Sequence, residues 1–343
     1  SAQKLRQPPA KRNRPPERSS AKIRNARDFG AVLWAFAAAK LENQAPVCYT
    51  AASHMEGRCI MDEAWMEALR ELGLQNCAYT LLQEKDGIRV ARVWRQGAPY
   101  IIKFFQAADF RREIANYRIL AALGVPTLKV HAQTSSALLL EDAAHSPLYR
   151  LGTPEDLRDP AVARRIADWY RLLHQKGYAY AARHGADLYD ETSVFTREAI
   201  AQIQQKTGTQ GAPAWKALEE RFAAIVQLLQ SVPQTLTYND FYFTNLAVAK
   251  DLSSAMMFDY NLLGRGYAYA DVRNVTVSLE EEARQAFLAA YGALNPLEAR
   301  LDRVVSTVVT LHFACQRKTF PTWAAAELER VSTSLESDVL ALF

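Results

Sequence analysis

The sequence predicts an α+β chain of two unequal lobes, a small antiparallel β-sheet followed by a larger helical body. Three observations carry this expectation. Short β-rich segments joined by tight turns crowd between Gln75 and Asp142. Beyond Asp142 the apolar residues recur with helical spacing. One late hairpin, from Asn245 to Asp259, gathers polar residues into an otherwise apolar stretch. A chain of 343 residues is long enough to bury a core in each lobe.

The elements follow in order. Residues 1–30 hold nine Lys/Arg against Glu17 and Asp28, a local charge of +7, so the rest of the chain carries −3 of the overall +4. This opening is Pro-rich and has almost nothing to bury, which predicts disorder. The apolar run "AVLWAFAAA" that follows sits too far from the start for a signal peptide. Residues 1–60 therefore read as a leader or upstream read-through, with translation starting at Met55 or Met61. A basic arm for an anionic partner is the other reading. From Asp62, "DEAWMEALRELG" places Trp65, Leu69 and Leu72 on one helical face and ends on Gly73. "AYTLLQ", "IRVARVWR" and "PYIIKFF" read as strands joined at Lys85-Asp86-Gly87 and Gln96-Gly97-Ala98. "AADFRREIANYRILAALG" is a helix with Phe110, Ile114, Tyr117 and Ala121 in a stripe and Gly124 at its end. "TLKVHAQ" and "SALLLED" complete a first lobe over residues 61–145, with Glu141–Leu148 as connector. In the second lobe, residues 146–343, "DPAVARRIADWYRLLHQKG" is a helix with Pro160 in its first turn. Two more helices fall within 191–231, and the rest within 278–292 and 296–342.

Composition excludes several classes. No apolar run reaches 18 residues, so no membrane span is expected. The four cysteines show no paired or metal-ligand spacing, which leaves no zinc site and makes a reducing, cytoplasmic setting the default. The body beyond residue 30 is mildly acidic, unlike the basic surface of a nucleic-acid enzyme.

The polar residues of "TYNDFYFTNLAV" carry the chemistry. "NLAV", a polar turn and "AMMFD" form a hairpin signature, and antiparallel pairing brings Asn245 and Asp259 to one mouth with Asp240 on the loop leading in. Two carboxylates and an amide oxygen suit Mg²⁺, completed by phosphate oxygens and water. Asp and Asn are also common turn residues, so the plain alternative stands at this point. Lys103 is the one charge in the strand "YIIKFF", and Glu113 sits against the Phe110/Ile114/Tyr117 stripe. An ion pair between them answers two awkward burials at once; solvation of an edge strand is the alternative for Lys103.

Strand Lys, helix Glu, connector, Asp-loop-Asn and hairpin Asp, in that order, resemble the protein-kinase-like fold, and the local sequence resembles the aminoglycoside phosphotransferase and choline/ethanolamine kinase families. "YNDFYFTN" resembles the family's His-(Gly/Asn)-Asp loop, "FDYNLLGRGYAYADVRN" its metal segment, "LLLED" its hinge strand and "ADWYRLLHQ" its Leu-His helix, over about Gln75 to Gly292. The resemblance implies ATP or GTP as co-substrate, with Lys103 on the phosphates, Glu113 holding it and Glu141 among the nucleotide-binding residues. It implies Asp240 as the base toward the acceptor hydroxyl and Asn245 and Asp259 as Mg²⁺ ligands. Asp271 is then a brace for the catalytic loop, or else a helix N-cap. Tyr238 stands where the family has His, Asn239 is choline-kinase-like, and Asn261 replaces a common acid. Gln83 to Ile88 lacks a full glycine motif.

The expected function is thus a Mg²⁺-dependent kinase acting on a hydroxyl of a small molecule. The alternative is an inactive kinase-like regulatory protein. Glu280–Glu282, Asp187, Asp190 and Glu191, with Tyr238, Tyr242, Tyr260, Tyr267 and Tyr269 around the loop, point to a cationic acceptor, an aminoglycoside-like sugar or an amino alcohol such as choline. A solvated helix face and a packed core are the bland readings of these same residues.

Overall fold

The structure, a computed structural model, describes residues 63–343. The leader expected over residues 1–60 and the Met55 and Met61 starts lie outside them.

Helix α1 (Glu63–Glu71) precedes a meander of β1 (Ala78–Lys85), β2 (Ile88–Arg95) and β3 (Ala98–Phe105). Both connections are two residues long. Asp86 and Gln96 take φ of 52°, and Gly87 and Gly97 follow at 77° and 81°. That is the primed hairpin turn, whose twist matches the strands it joins. A short 3₁₀ turn, Ala108–Phe110, leads into α2 (Arg112–Leu123), which closes on left-handed Gly124. The helix expected from Ala107 onward is therefore broken before it begins. β4 (Val130–Gln133) and β5 (Ala137–Glu141) complete an antiparallel sheet in the order β1-β2-β3-β5-β4.

Alternation along β3 decides what each face does. Ile102 and Phe104 pack under α1 with Trp65, Leu69 and Leu139. Ile101 and Phe105 face the other way, with Ile114 and Tyr117 of α2, and join a core that continues into the second lobe through Trp169, Leu236 and Met257. Lys103 lies between them on that second face, so it is buried toward the cleft and not at a solvated edge.

The second lobe runs through β6 (Tyr149–Leu151), α3 (Pro160–His184), β7 (Tyr189–Asp190), α4 (Arg197–Thr207), α5 (Pro213–Ser231) and β8 (Thr235–Thr237). The hairpin β9 (Leu246–Ala249) and β10 (Ala255–Met257) and strand β11 (Gly264–Gly266) follow, then α6 (Ala268–Thr276), α7 (Glu281–Tyr291), α8 (Pro296–Cys315), α9 (Ala325–Thr333) and α10 (Leu335–Leu340). β6 adds to the hairpin in the order β10-β9-β6, and β7-β11-β8 form a second small sheet. Strands of two or three residues carry no readable alternation, which is why β6, β7 and β11 had no sequence signal. A separate core joins α4, α5, α8 and α10 through Ile203, Trp215, Leu218, Val305, Val308 and Leu335. No helix among the described residues is long and apolar enough to cross a membrane.

Candidate active site

The loop from Tyr238 to Asn245 is held from beneath by one carboxylate. Asp271 of α6 accepts from the backbone N–H of Tyr238 at 2.7 Å and of Asn239 at 2.9 Å. Its Oδ2 also meets His174 Nε2 at 3.1 Å, and His174 Nδ1 meets the Tyr291 hydroxyl at 2.7 Å. Asp271 is fully buried, and the N-cap of α6 is Tyr267, so the brace and not the helix cap describes it. Asn239 takes φ of 64°, a left-handed backbone that Asn tolerates better than most residues. Its amide Nδ2 donates to Thr237 Oγ1 and to Leu262 O, both at 3.0 Å, which fixes that geometry.

Tyr238 is fully buried and its hydroxyl donates to Phe258 O, tying the loop to the end of the hairpin. Its ring stands edge-on to Trp169 at 5.8 Å and to Tyr260 at 5.9 Å. Tyr260 and Tyr267 are also buried, so these three tyrosines pack the interior and do not form a box around a ligand.

Asp240 follows, half-buried at the edge of a cleft. Asn245 Nδ2 donates to its Oδ2 at 3.1 Å and to its backbone O at 3.3 Å, which turns the amide oxygen of Asn245 away from it. Burial pushes the Asp240 carboxyl up to about 7, with repulsion from Asp259 adding to it and Lys103 and the Asn245 hydrogen bond opposing. Phe258 N donates to Asn245 O at 2.9 Å, and Met257 pairs with Leu246, so the hairpin sets Asp259 beside Asn245 as its register requires. Asp259 is also left-handed, with φ of 64°.

Lys103 joins the two lobes. Its Nζ lies 2.7 Å from Glu113 Oε2 and 2.8 Å from Asp259 Oδ1. Burial works against the ammonium, but the Asp259 and Glu113 carboxylates outweigh it and its pKa is raised. Glu113 is fully enclosed, and burial raises it although Lys103 pulls the other way. The strand-to-helix ion pair was legible in the sequence; the contact with Asp259 was not. Val90, Ile101, Leu140, Leu151 and Phe258 wall an apolar slot that ends on Lys103 and Asp259. Glu141 stands at that slot, but its Oε1 accepts from Lys129 N at 3.0 Å. Its carboxylate is thus engaged by backbone.

A larger cleft of about 410 Å³ opens on the other side of Asp240. Its walls include Glu191, Arg273, Leu262, Val309, Phe313 and Trp323. Burial lifts Glu191 to about 7, with Arg273 opposing. Arg273 is itself engaged, its Nε donating to Asp302 Oδ2 at 2.8 Å. Of the acidic residues expected to draw an acceptor, only Glu191 lines this cleft. Glu280 is bound by Arg158, Glu281 by Arg284 and Asp190 by Arg265, and Asp187 is exposed. Arg273, Phe313 and Trp323 were missed, because helices far apart in sequence deliver them and no local motif marks them. Asn261, the departure from the common acid, accepts from Arg112 Nε at 3.3 Å, and the Arg112 guanidinium lies 5.0 Å from the Tyr189 ring. It thus helps to tie α2 to the second lobe.

The residues at the hairpin mouth suit a hard divalent cation. Asn245 offers an amide oxygen, and Asp259 has a second carboxylate oxygen beyond the one at Lys103. Among the described residues no group of three or more His, Cys, Asp or Glu gathers. A cation here would therefore rely on phosphate oxygens and water for most of its shell, as Mg²⁺ does.

The model of a family described as the phosphotransferase enzyme family matches residues 83–303. In fold the chain is similar to a macrolide 2'-phosphotransferase from Brachybacterium faecium, at 21% identity and a TM-score of 0.53, covering 80% of this chain and 98% of that one. It is similar also to the ADP-bound aminoglycoside phosphotransferase APH(2'')-Ib, at 15% identity and 0.56, covering 83% and 99%. An ethanolamine kinase of Plasmodium vivax matches at 12% and 0.51, over 77% and 84%. At these identities the likeness is one of fold. No curated protein matches the chain at a significant level.

Proposed function

The chain belongs to the phosphotransferase enzyme family and is a small-molecule kinase, and from that premise we propose that it transfers the terminal phosphoryl group of ATP or GTP to a hydroxyl in the cleft beside Asp240. The observation that carries this is the position of Asp240. It lines the large cleft and is hydrogen-bonded to Asn245, which the hairpin sets beside Asp259 and so beside the Lys103–Glu113 pair. In this reading residues 61–145 form the nucleotide-binding lobe and residues 146–343 carry the catalytic loop and acceptor site. Free Cys77 and Cys315 fit a reducing cytoplasm, where nucleoside triphosphates are supplied.

The apolar slot takes the nucleobase, with Glu141 at its rim contributing through backbone, since its carboxylate is engaged. Lys103, held by Glu113, meets the phosphates as a point charge. Asn245 and Asp259 would hold Mg²⁺, which when bound screens the charge of the phosphate oxygens. Asp240 orients the acceptor hydroxyl and takes its proton as the new O–P bond forms and the β–γ bridge breaks, leaving a nucleoside diphosphate and a phosphate ester. Burial raises the Asp240 carboxyl above the ordinary range in the free protein, which makes it a stronger base than an exposed Asp.

The acceptor is an amphipathic amino alcohol. Glu191 is a carboxyl that an entering ammonium group would hold ionised, Arg273 is neutralised by Asp302, and Leu262, Phe313 and Trp323 offer an apolar wall. That lining suits one ammonium group on an apolar body better than a polycation.

Nucleotide-diphosphate release, measured with Mg²⁺ and a panel of hydroxylated amines, tests the reading. Asp240→Asn should lower acceptor-dependent release by about 10²–10⁴-fold, with calorimetric nucleotide affinity retained. Acceptor-dependent turnover near wild type in that variant would overturn the role of Asp240. Nucleotide binding with no acceptor-dependent release from any compound would favour a kinase-like regulatory protein instead.

A further inference from the structure

A third cavity, of about 400 Å³, opens where α3, the start of α6, the end of α7 and the start of α8 meet, and it shares no lining residue with the slot or the cleft. Tyr178, Tyr269 and Tyr291 line it, and Glu298 is the one charged residue in its wall. Glu298 is 3% exposed. Its oxygens accept from Tyr269 N at 3.1 Å and from Asn295 Nδ2 at 3.2 Å. Both donors are neutral, and no Lys or Arg among the described residues pairs with it. A buried carboxylate without a Lys or Arg partner is costly, and burial raises its pKa, although the Tyr269 and Asn295 hydrogen bonds and the nearby His174 oppose the shift. Tyrosine faces around such a group attract an organic cation, which would restore the missing charge and stay partly dehydrated.

The wall of this cavity touches the support of the catalytic loop. The Tyr291 hydroxyl meets His174 Nδ1 at 2.7 Å, His174 Nε2 meets Asp271 at 3.1 Å, and Asp271 holds the N–H groups of Tyr238 and Asn239. Three links therefore separate a cavity side chain from the residue before Asp240. We propose that this cavity is a second ligand site for a small organic ammonium ion, and that its occupancy is transmitted through Tyr291, His174 and Asp271 to the loop that carries Asp240. The chemistry is distinct from that of the acceptor cleft, since no hydroxyl is required and no group is transferred. Its binding arm does not depend on the kinase reading.

Tetramethylammonium is the probe, because it has the charge and shape but nothing to phosphorylate. Titrated calorimetrically into the full chain, it should bind wild type and bind Glu298→Gln about tenfold or more weakly, the loss of about 1.4 kcal/mol per decade expected when a counter-charge is removed. Tyr178→Ala, at the 38% exposed rim, should weaken binding as well and serves if Glu298→Gln does not fold. Amide hydrogen exchange at Tyr238 and Asn239 should change on adding the probe to wild type. In Tyr291→Phe, which keeps the ring but loses the link to His174, the probe should bind and leave that exchange unmoved. Binding indifferent to both Glu298→Gln and Tyr178→Ala, or displaced by acceptor, would overturn the site. An exchange response in Tyr291→Phe as large as that of wild type, or no response in wild type, would overturn the coupling.

Discussion

Replacing Asp240 with Asn should do two opposite things, lowering transfer by about 10²–10⁴-fold and stabilising the fold. The carboxyl is held at about 7 against an ordinary 3.8, chiefly by burial and next by Asp259. A difference of about three pH units at about 1.4 kcal/mol each sets a ceiling near 4 kcal/mol. Asp240 is only half-buried and lines an open cleft, so solvent screening reduces this to about 1–2 kcal/mol. The variant also keeps an amide oxygen for the Asn245 donor. For a body of this size each kcal/mol moves the melting temperature by roughly 2 °C, so a gain of about 2–4 °C is expected. The sign follows from linkage. A carboxyl whose folded pKa is raised destabilises the fold once ionised, and that cost grows as pH rises from about 4 to about 7. The gain in the variant is therefore full at pH 8, shrinks below pH 7 and vanishes near pH 4. Melting curves of wild type and Asp240→Asn from pH 4 to 8.5, without nucleotide or divalent cation, measure it. A variant no more stable than wild type at pH 8, or a gain that does not vary with pH, would refute the account of Asp240 as a desolvated, repelled carboxylate.

Two further outcomes follow from the same geometry. Asp259→Asn should weaken Mg²⁺-dependent nucleotide binding more than Asn245→Ala does, because it removes a formal charge from the hairpin mouth; calorimetry of both variants with and without Mg²⁺ decides this, and equal losses would count against Asp259 as the stronger ligand. Trp323→Ala should raise the acceptor KM by about tenfold or more with kcat little changed, since it removes apolar contact made equally in ground and transition states; a loss confined to kcat would place Trp323 outside the acceptor wall.

What the sequence revealed about this site depended on whether a residue violated its local pattern. Lys103 did, as one charge in an alternating apolar strand, and its partner Glu113 did the same on a helix stripe, so the pair was inferred before any coordinates. The hairpin placed Asn245 beside Asp259 because antiparallel register is arithmetic. Glu298, Arg273, Phe313 and Trp323 break no local pattern. They sit on α6, α8 and the segment after it, and only helix packing aims them at a cavity. The run Glu280–Glu282 misled for a related reason. It is a strong local signal, but Arg158 and Arg284 engage it on the surface, far in sequence or one turn away. The tyrosines near the loop were likewise conspicuous in composition, and their burial shows that most of them build the support of the loop and not its chemistry.

The backbone at the site carries the same logic one level down. Asn239 and Asp259 both take φ of 64°, one beside the catalytic loop's Asp240 and one at the hairpin mouth. A left-handed residue other than glycine costs up to about 1–2 kcal/mol, less for Asn and Asp, and both sites carry compensation. Asn239 has it from its own amide and from Asp271 on its N–H. Asp259 has it from the Lys103 ammonium. Glycine at 239 would relieve the strain but give up the amide bonds to Thr237 and Leu262 that fix the turn. The strained backbone and the raised carboxyl of Asp240 fall within a few residues of each other, beside a closely packed apolar core. Local energy sacrificed at one place, with support built beneath it by Asp271, His174 and Tyr238, is the pattern expected where geometry serves reaction before stability.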